Sequence, residues 1–174
     1  IKCIEIAGVQ GDATNTARME GYREGVNEAG GEFLDAETQY ANATADLAVT
    51  AMEGIMSKYP EGVAIICSNN DDMALAAART AKDNPNYAKT IFLGFDGQKS
   101  AVEAVLNGEL TMTAAQNNFD IGYKAVETIV KILNGEADIS TMPIEYTDVT
   151  KKYNKTICDD LGLTVPDGYE EIEG

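Results

Sequence analysis

The sequence predicts an α/β fold, a doubly wound parallel sheet flanked by helices. Along the 174 residues, short apolar segments alternate with longer segments of helical pattern. The apolar segments are nearly continuous, as in strands that helices cover on both faces. Each helical segment ends at a glycine or shortly before a proline. Strands and helices that alternate in this way form right-handed βαβ units.

Five strands are predicted, and their order follows from this pattern. They are residues 2–7, 33–38, 63–67, 90–95 and 110–115. We expect a flavodoxin-like order, in which the first strand lies between the second and the third. The first apolar segment starts at residue 2, which suggests that the chain is part of a longer protein.

Five helices are predicted between and after the strands. They are residues 15–29, 44–58, 71–82, 98–107 and 119–134. The first ends at Gly30 and Gly31, and the last two end at Gly108 and Gly135, where glycine accepts a left-handed cap. The acidic tail at 166–174 is expected to fray.

Composition excludes several classes of function. The formal net charge is −16, from 29 acidic and 13 basic residues, so nucleic acid and anionic membranes are poor partners. The chain has no histidine, which removes histidine triads and histidine metal sites. There is no CxxC spacing and no glycine-rich phosphate motif. We expect neither a cofactor nor a metal.

The three cysteines are expected to be buried structural thiols. Cys3 opens the first predicted strand and Cys67 closes the third. Parallel pairing should then place the two sulfurs at opposite ends of the sheet, more than about 10 Å apart. That distance is beyond disulfide reach. Cys158 has no obvious partner in the sequence.

Polar side chains follow every predicted strand. They are Asp12, Thr14 and Arg18 after the first strand, Tyr40 and Asn42 after the second, Asn70 after the third, Asp96 at the end of the fourth and Gln116 at the end of the fifth. Ligands bind at the carboxyl ends of the strands in open parallel sheets. The sequence therefore predicts a polar binding site at this edge.

These residue types suit a sugar. An amide both donates and accepts, a carboxylate accepts two donors and a guanidinium gives a rigid fork, which together match adjacent hydroxyls. Each residue also has a plainer explanation. Asn70 could be a helix cap and nothing more, Asp96 could be an ordinary turn residue, and Arg18 could form a surface ion pair with Glu20 or Glu24.

Five segments in order carry a resemblance to a known family. They are TARMEGYREG (16–25), SNNDDMALAA (68–77), FLGFDG (92–97), NGELTMTAAQ (107–116) and DIGYKAVETIVKILNGE (120–136). Over roughly residues 1–150 the chain resembles the C-terminal half of a periplasmic sugar-binding protein of the ribose/galactose-binding type. Proteins of this family are type I periplasmic binding proteins, and LacI-type repressors share their fold.

The resemblance implies a two-lobed receptor outside the cytoplasm, periplasmic or anchored as a lipoprotein. It would close on a monosaccharide and deliver it to the permease of an ABC transporter. Arg18, Asn70, Asp96 and Gln116 fall on the family's sugar-binding positions. Asp12 and Thr14 fall on a loop that contacts sugar in some members. The family often has an aromatic residue near 42–43, where this chain has Asn42 and Ala43, so Tyr40 would have to replace it.

The resemblance also implies a division of the chain. Residues 1–116 would form the C-terminal ligand-binding lobe, 117–142 a helix that belongs to the missing N-terminal lobe, and 143–174 a return strand with the tail. The apolar side chains of that helix are Ile121, Val126, Ile129, Val130, Ile132 and Leu133. We hypothesise that self-association, folding back or a separate first lobe covers them.

Two alternatives from other classes stay open. The chain could be the sugar-sensing effector domain of a LacI-type transcription regulator, which a dimer surface would favour. It could also be an enzyme in which Asp12, Asp71, Asp72 and Asp96 form a carboxylate pair or a magnesium site. Turnover of a sugar or phosphate ester would favour the enzyme. No catalytic residue is predicted, because no nucleophile has an adjacent base.

Overall fold

One sheet organises the computed structural model, which describes residues 1–138, 140–141, 149–153, 159 and 169–171. Its strands are β1 (Lys2–Ala7), β2 (Glu32–Phe33), β3 (Gln39–Tyr40), β4 (Ile65–Ser68), β5 (Ile91–Asp96), β6 (Met112–Gln116), β7 (Val149–Tyr153) and β8 (Tyr169–Glu171). The order is β2-β1-β4-β5-β6-β7-β8, and β3 also pairs with β1. Strands β1 to β6 pair in parallel, whereas β7 is antiparallel to β6. The predicted fold class and the internal position of the first strand are confirmed.

The five predicted helices are present. They are α1 (Ala13–Glu28), α2 (Ala45–Lys58), α3 (Asp71–Ala81), α4 (Lys99–Leu106) and α5 (Asn118–Leu133). Three of them begin after a side chain that accepts a hydrogen bond from the first turn, namely Asp12, Asn70 and Asn117. Among the described helices, none combines the length and the apolar character that crossing a bilayer requires.

The predicted strand 33–38 is wrong, because the chain pairs with β1 twice and turns in between. Phe33 pairs opposite Cys3, and Gln39 pairs opposite Ile6. Between them, Asp35–Glu37 forms a short 3₁₀ helix. Both acidic residues of this helix form ion pairs, because Arg23 donates to Asp35 at 2.7 Å and Lys58 donates to Glu37 at 2.7 Å. These two ion pairs lie at the turn that interrupts the strand.

The core has two parts, one on each face of the sheet. The larger part packs β1, β4 and β5 against α2, α3 and α4, with Ile4, Met52, Ile66 and Val105 fully buried. The smaller part comprises Cys3, Phe33 and Cys67, covered by Met19, Tyr22 and Val26 of α1. Alternate residues of β1 serve the two faces, because successive strand side chains point to opposite sides.

The predicted separation of Cys3 and Cys67 is wrong. Their Sγ atoms lie 3.3 Å apart, and both residues are buried thiols. Strand β4 is only four residues long, and it pairs Cys3 with Ile65 and Cys67 with Glu5. The cysteines are therefore diagonal neighbours on one face rather than at opposite ends of the sheet. Their burial is confirmed, and Cys158 lies outside the described residues.

The expected fraying of the tail is wrong at Tyr169–Glu171. This segment forms β8, which pairs in parallel with β7. The outer edge of β7 offers unpaired backbone groups, and another strand can satisfy them. The rest of 166–174 lies outside the described residues.

Helix α5 differs from the other helices. None of its residues is buried. Its large apolar side chains are exposed, and they include Phe119, Ile121, Tyr123, Val126, Ile129, Val130 and Leu133. Within the described part of the chain, the apolar face of α5 is therefore exposed to solvent.

Candidate functional site

Three of the predicted site residues form one hydrogen-bonded network. Oδ1 of Asp96, at the end of β5, accepts from Nε2 of Gln116 at 2.6 Å and from Nη2 of Arg18 at 3.2 Å. Gln116 ends the neighbouring strand β6, and Arg18 projects from α1. The network thus joins two strand ends and one helix at the carboxyl edge of the sheet. Elements far apart in sequence build it, as the strand-end pattern predicted.

Arg18 is held by contacts beyond the ion pair. Its Nη1 donates to the backbone oxygen of Asn69 at 2.7 Å, and its guanidinium carbon lies 4.0 Å from the centroid of the Phe95 ring. Only 15% of the Arg18 side chain is exposed. The alternative of surface pairing with Glu20 or Glu24 is wrong, because the ion pair runs to Asp96. A cation over an aromatic face is further stabilised by the ring's quadrupole.

The backbone at Asp96 is strained. Its φ is 116°, a region that residues other than glycine rarely adopt, so the plain turn-residue explanation of Asp96 is incomplete. The next residue, Gly97, has φ 72°, and a Cβ there would clash with Ala115. Strain of this kind persists only when the surroundings enforce it.

Asp71 and Thr113 enforce the turn that follows Asp96. Thr113 donates its hydroxyl to Oδ1 of Asp71 at 2.6 Å and accepts from the amide of Gly97 at 3.2 Å. Oδ2 of Asp71 accepts from the amide of Gln98 at 2.7 Å. Burial raises the pKa of Asp71 to about 6. A Cβ at Gly94 would clash with this carboxylate, so the close approach requires glycine.

Asn70 has two roles in the structure. Its Oδ1 accepts from the amide of Met73 at 2.9 Å and caps α3, as the plainer interpretation held. Its Nδ2 donates to the backbone oxygen of Ala43 at 3.2 Å. Asn42 and Ala43 have φ of 47° and 60°, so two consecutive residues are left-handed. Asn70 thereby links the start of α3 to an unusual turn.

The remaining predicted residues lie on the same edge without joining the network. Asp12 caps α1 by accepting from the amide of Asn15 at 2.7 Å. Thr14 is exposed in the first turn of α1, and Tyr40 is exposed at the end of β3. Among the described residues, no hydrogen bond connects these three side chains to Asp96.

The residues that support the site were not predicted in that role, although Asp71 was named as a carboxylate of the alternative enzyme site. Phe95 and Asn69 hold Arg18, while Asp71 and Thr113 hold the Asp96 turn. Their neighbours Asp96 and Asn70 were recognised, but the pairing of β5 with β6 was needed to bring Thr113 to Gly97. The alternation of side chains along a strand predicts that Phe95 and Asp96 lie on opposite faces of the sheet. No sequence pattern predicts that the Arg18 guanidinium packs over the Phe95 ring.

The carboxylates do not assemble into a metal-binding group. Within the described ranges, no three of the histidine, cysteine, aspartate or glutamate side chains lie close enough to hold an ion. Asp71 is engaged by Thr113 and by the amide of Gln98, and Asp96 is engaged by Arg18 and Gln116. The arrangement can orient hydroxyl groups by hydrogen bonds, and it offers no nucleophile beside a base.

Comparisons with known proteins agree with this geometry. Residues 1–137 match the family described as periplasmic binding protein domain. The chain is 32% identical over 151 residues to the ribose import binding protein of Escherichia coli K12. The aligned region covers 87% of this chain and 50% of that protein. The chain therefore spans about half the length of such curated relatives.

Solved structures share the fold. One is an ABC transporter periplasmic solute binding protein from Actinobacillus succinogenes 130z with bound D-allose, with a TM-score of 0.79 and 22% identity over 91% of this chain and 54% of that chain. Another is an ABC transporter solute binding protein from Bacillus halodurans C-125 with bound myo-inositol, with a TM-score of 0.77 and 21% identity over 92% of this chain and 54% of that chain. With its matching sequence segments and this doubly wound sheet, the chain belongs to the periplasmic binding protein domain family, as a type I member of the ribose/galactose-binding type.

Proposed function

We propose that this chain is the C-terminal lobe of a receptor that binds a monosaccharide and delivers it to a sugar ABC transporter. The observation that carries the proposal is the network of Arg18, Asp96 and Gln116 at the carboxyl edge of the sheet. The relatives support the same class, since one is a ribose import protein and two solved structures hold D-allose and myo-inositol. The receptor binds and releases its ligand without chemistry of its own.

The network leaves hydrogen-bonding capacity for a polyhydroxyl ligand. Among the described residues, Oδ2 of Asp96 accepts no hydrogen bond, and Oε1 of Gln116 is likewise unused. Two adjacent hydroxyls can donate to these oxygens, while the Arg18 guanidinium donates to a third oxygen. Asp12, Thr14, Tyr40, Asn42 and Asn70 supply the rim of the same site in this proposal.

The second half of the site comes from an upstream lobe. In this proposal residues 1–116 form the C-terminal lobe, 117–142 contain a helix, α5, that belongs to the N-terminal lobe, and 143–174 are the return strand and the tail. The exposed apolar face of α5 supports this division, as does the match to about half of each relative. Closure of two lobes over a sugar would be a population shift driven by contacts made only in the closed state.

Partners and location follow from the receptor class. The upstream lobe, the sugar and an ABC transporter permease are the proposed partners, and the proposed location is extracytoplasmic. The family match and relatives reported above are transport binding proteins, and they give the LacI-type regulator no support. We propose that α5 contacts the upstream lobe and not a second copy of the chain.

A thermal-shift panel tests the proposal. Pentoses, hexoses, polyols and nucleosides would be added to this chain and to the protein with its upstream half. One sugar at about 100 times its dissociation constant should stabilise the two-lobed protein by about 2.7 kcal/mol. A smaller shift is expected for this chain alone. If a well-folded two-lobed protein responds to no member of the panel, the proposal is wrong.

A further inference from the structure

A buried pair of thiols lies in the core beneath α1 and plays no part in the proposed binding site. The Sγ atoms of Cys3 and Cys67 are 3.3 Å apart, and neither residue has any exposed surface. Cys3 belongs to β1 and Cys67 to β4, two strands that pair in parallel. Sixty-four positions separate them in sequence, so only the folded sheet brings them together.

We propose that Cys3 and Cys67 form a reversible disulfide that ties β1 to β4 beneath α1. Both side chains already point toward each other on one face of the sheet. Each sulfur would move by about 0.6 Å to reach the bond length of about 2.05 Å. An oxidising compartment is needed, and this part of the inference rests on the proposed function, which places the protein outside the cytoplasm.

The register makes this disulfide strained and easy to reduce. Cys3 pairs opposite Ile65, and Cys67 pairs opposite Glu5, so the two cysteines are diagonal neighbours. In parallel strands about 4.8 Å apart with a rise of about 3.3 Å per residue, Cα atoms offset by two residues lie roughly 8 Å apart, above the usual disulfide range of about 4.4–6.8 Å. The strands must approach slightly when the bond forms. Strained disulfides have higher reduction potentials and are the labile ones.

The oxidant must reach the thiols before α1 covers them. Hydrogen bonding to Cys3 and burial both raise the pKa of the Cys67 thiol, so the folded, reduced pair holds little reactive thiolate. During folding, the thiolate of one cysteine attacks the disulfide of a thiol-disulfide oxidant and releases one oxidant thiol. The second cysteine thiolate then attacks the mixed disulfide and releases the other. The cysteines lose two electrons, the oxidant gains them, and the two protons pass to the released thiolates.

Peptide mapping tests the bond directly, because trypsin separates the three cysteines. They fall in peptides 3–18, 59–79 and 156–174. The chain of residues 1–174 would be reduced, denatured and refolded in a buffer that contains both reduced and oxidised glutathione. Free thiols would be alkylated in denaturant and the digest analysed without reductant. We expect peptides 3–18 and 59–79 to be joined, with a combined mass about 2 Da below their sum.

Matched variants make the result specific. Cys158→Ser should keep the linked pair, and Cys67→Ser should abolish it while circular dichroism shows the native fold. A mild dithiol should reduce the bond after the protein has been unfolded in denaturant, when both sulfurs are accessible. Complete alkylation of both peptides after refolding and denaturation, or a link from either one to peptide 156–174, would overturn the inference. Sugar binding is measured separately on the same samples, so failure of the disulfide and failure of the receptor function are distinguishable.

Discussion

Phe95 supports Arg18 although it is not one of the predicted site residues. The Phe95 ring lies 4.0 Å beneath the guanidinium carbon. Loss of the ring in Phe95→Leu removes a cation–π contact worth about 0.5–2 kcal/mol and should weaken sugar binding roughly 2- to 30-fold. Phe95→Tyr keeps the ring and serves as the matched control. Calorimetric titration measures both, and equal affinity for wild type and Phe95→Leu would contradict this role.

Glu5 should make the stability of the fold depend on pH. It is fully buried in β1, neither carboxyl oxygen has a hydrogen-bond partner in the described structure, and burial raises its pKa to about 7 from the usual 4.5. A raised pKa in the folded state means that the stabilisation is complete below pH 4.5 and is lost as pH rises through about 7. The cost above pH 7 is up to about 3 kcal/mol.

The variant Glu5→Gln keeps the shape and removes the charge. Its gain in unfolding free energy over wild type should be larger at pH 8 than at pH 5, as measured by urea denaturation. Glu20→Gln changes an exposed glutamate of α1 and should show no such difference. Asp71 contributes in the same direction, because burial raises its pKa to about 6, and this contribution remains in Glu5→Gln. A gain independent of pH would contradict the assignment to Glu5.

At the scale of elements, the start of α3 and the 42–43 turn depend on one side chain. Asn70→Ala removes the cap to Met73 and the bond to the backbone oxygen of Ala43. We expect a loss of about 1–2 kcal/mol in unfolding free energy. Asn70→Asp keeps the cap and removes the amide donor, so it should retain more stability while still releasing the turn. Chemical denaturation of both variants separates the two contacts, and equal stability of the two would show that the cap contributes nothing.

The helices were predictable because their signals are local. Caps such as Asn70 and stops such as Gly108 act within one turn, so their effect can be recognised in the sequence. The short strands were harder, since pairing partners decide them. Residues 33–38 divide around Asp35–Glu37, where the acids pair with Arg23 and Lys58 from two distant helices, and the sequence does not show these contacts. The distance between Cys3 and Cys67 likewise depended on a register that the sequence does not specify.

The candidate site was predictable to the same degree. Polar residues at strand ends predicted the edge, and Arg18, Asp96 and Gln116 do meet there. The supporting residues could not be found, because the contact of Phe95 with Arg18 and the bond of Thr113 to Gly97 join distant segments. Residue type alone does not show whether an asparagine caps a helix or contacts a ligand. Asn70, for example, serves as a helix cap in the structure.

For the whole molecule, the apolar face of α5 is expected to be an internal surface. Val126 is 63% exposed in the lobe described here. In the protein with its upstream half, Val126→Asp should lower the unfolding free energy by about 1–3 kcal/mol, because it would place a charge in the packed interface. Glu127→Gln disturbs only an exposed pair with Lys131 and should change little. A dimer of this lobe that forms through α5 and persists with the upstream half present would contradict the proposed packing.

Calorimetric titration of the two-lobed protein with D-ribose, D-allose and myo-inositol tests the receptor function most directly. Wild type should bind one sugar of this class, and Asp96→Asn should weaken that binding about 100-fold, because it removes a charged acceptor shared by Arg18 and Gln116. Asp83→Asn changes an exposed aspartate beyond the end of α3 and should bind like wild type. Undiminished binding in a correctly folded Asp96→Asn protein would show that the sugar is held elsewhere.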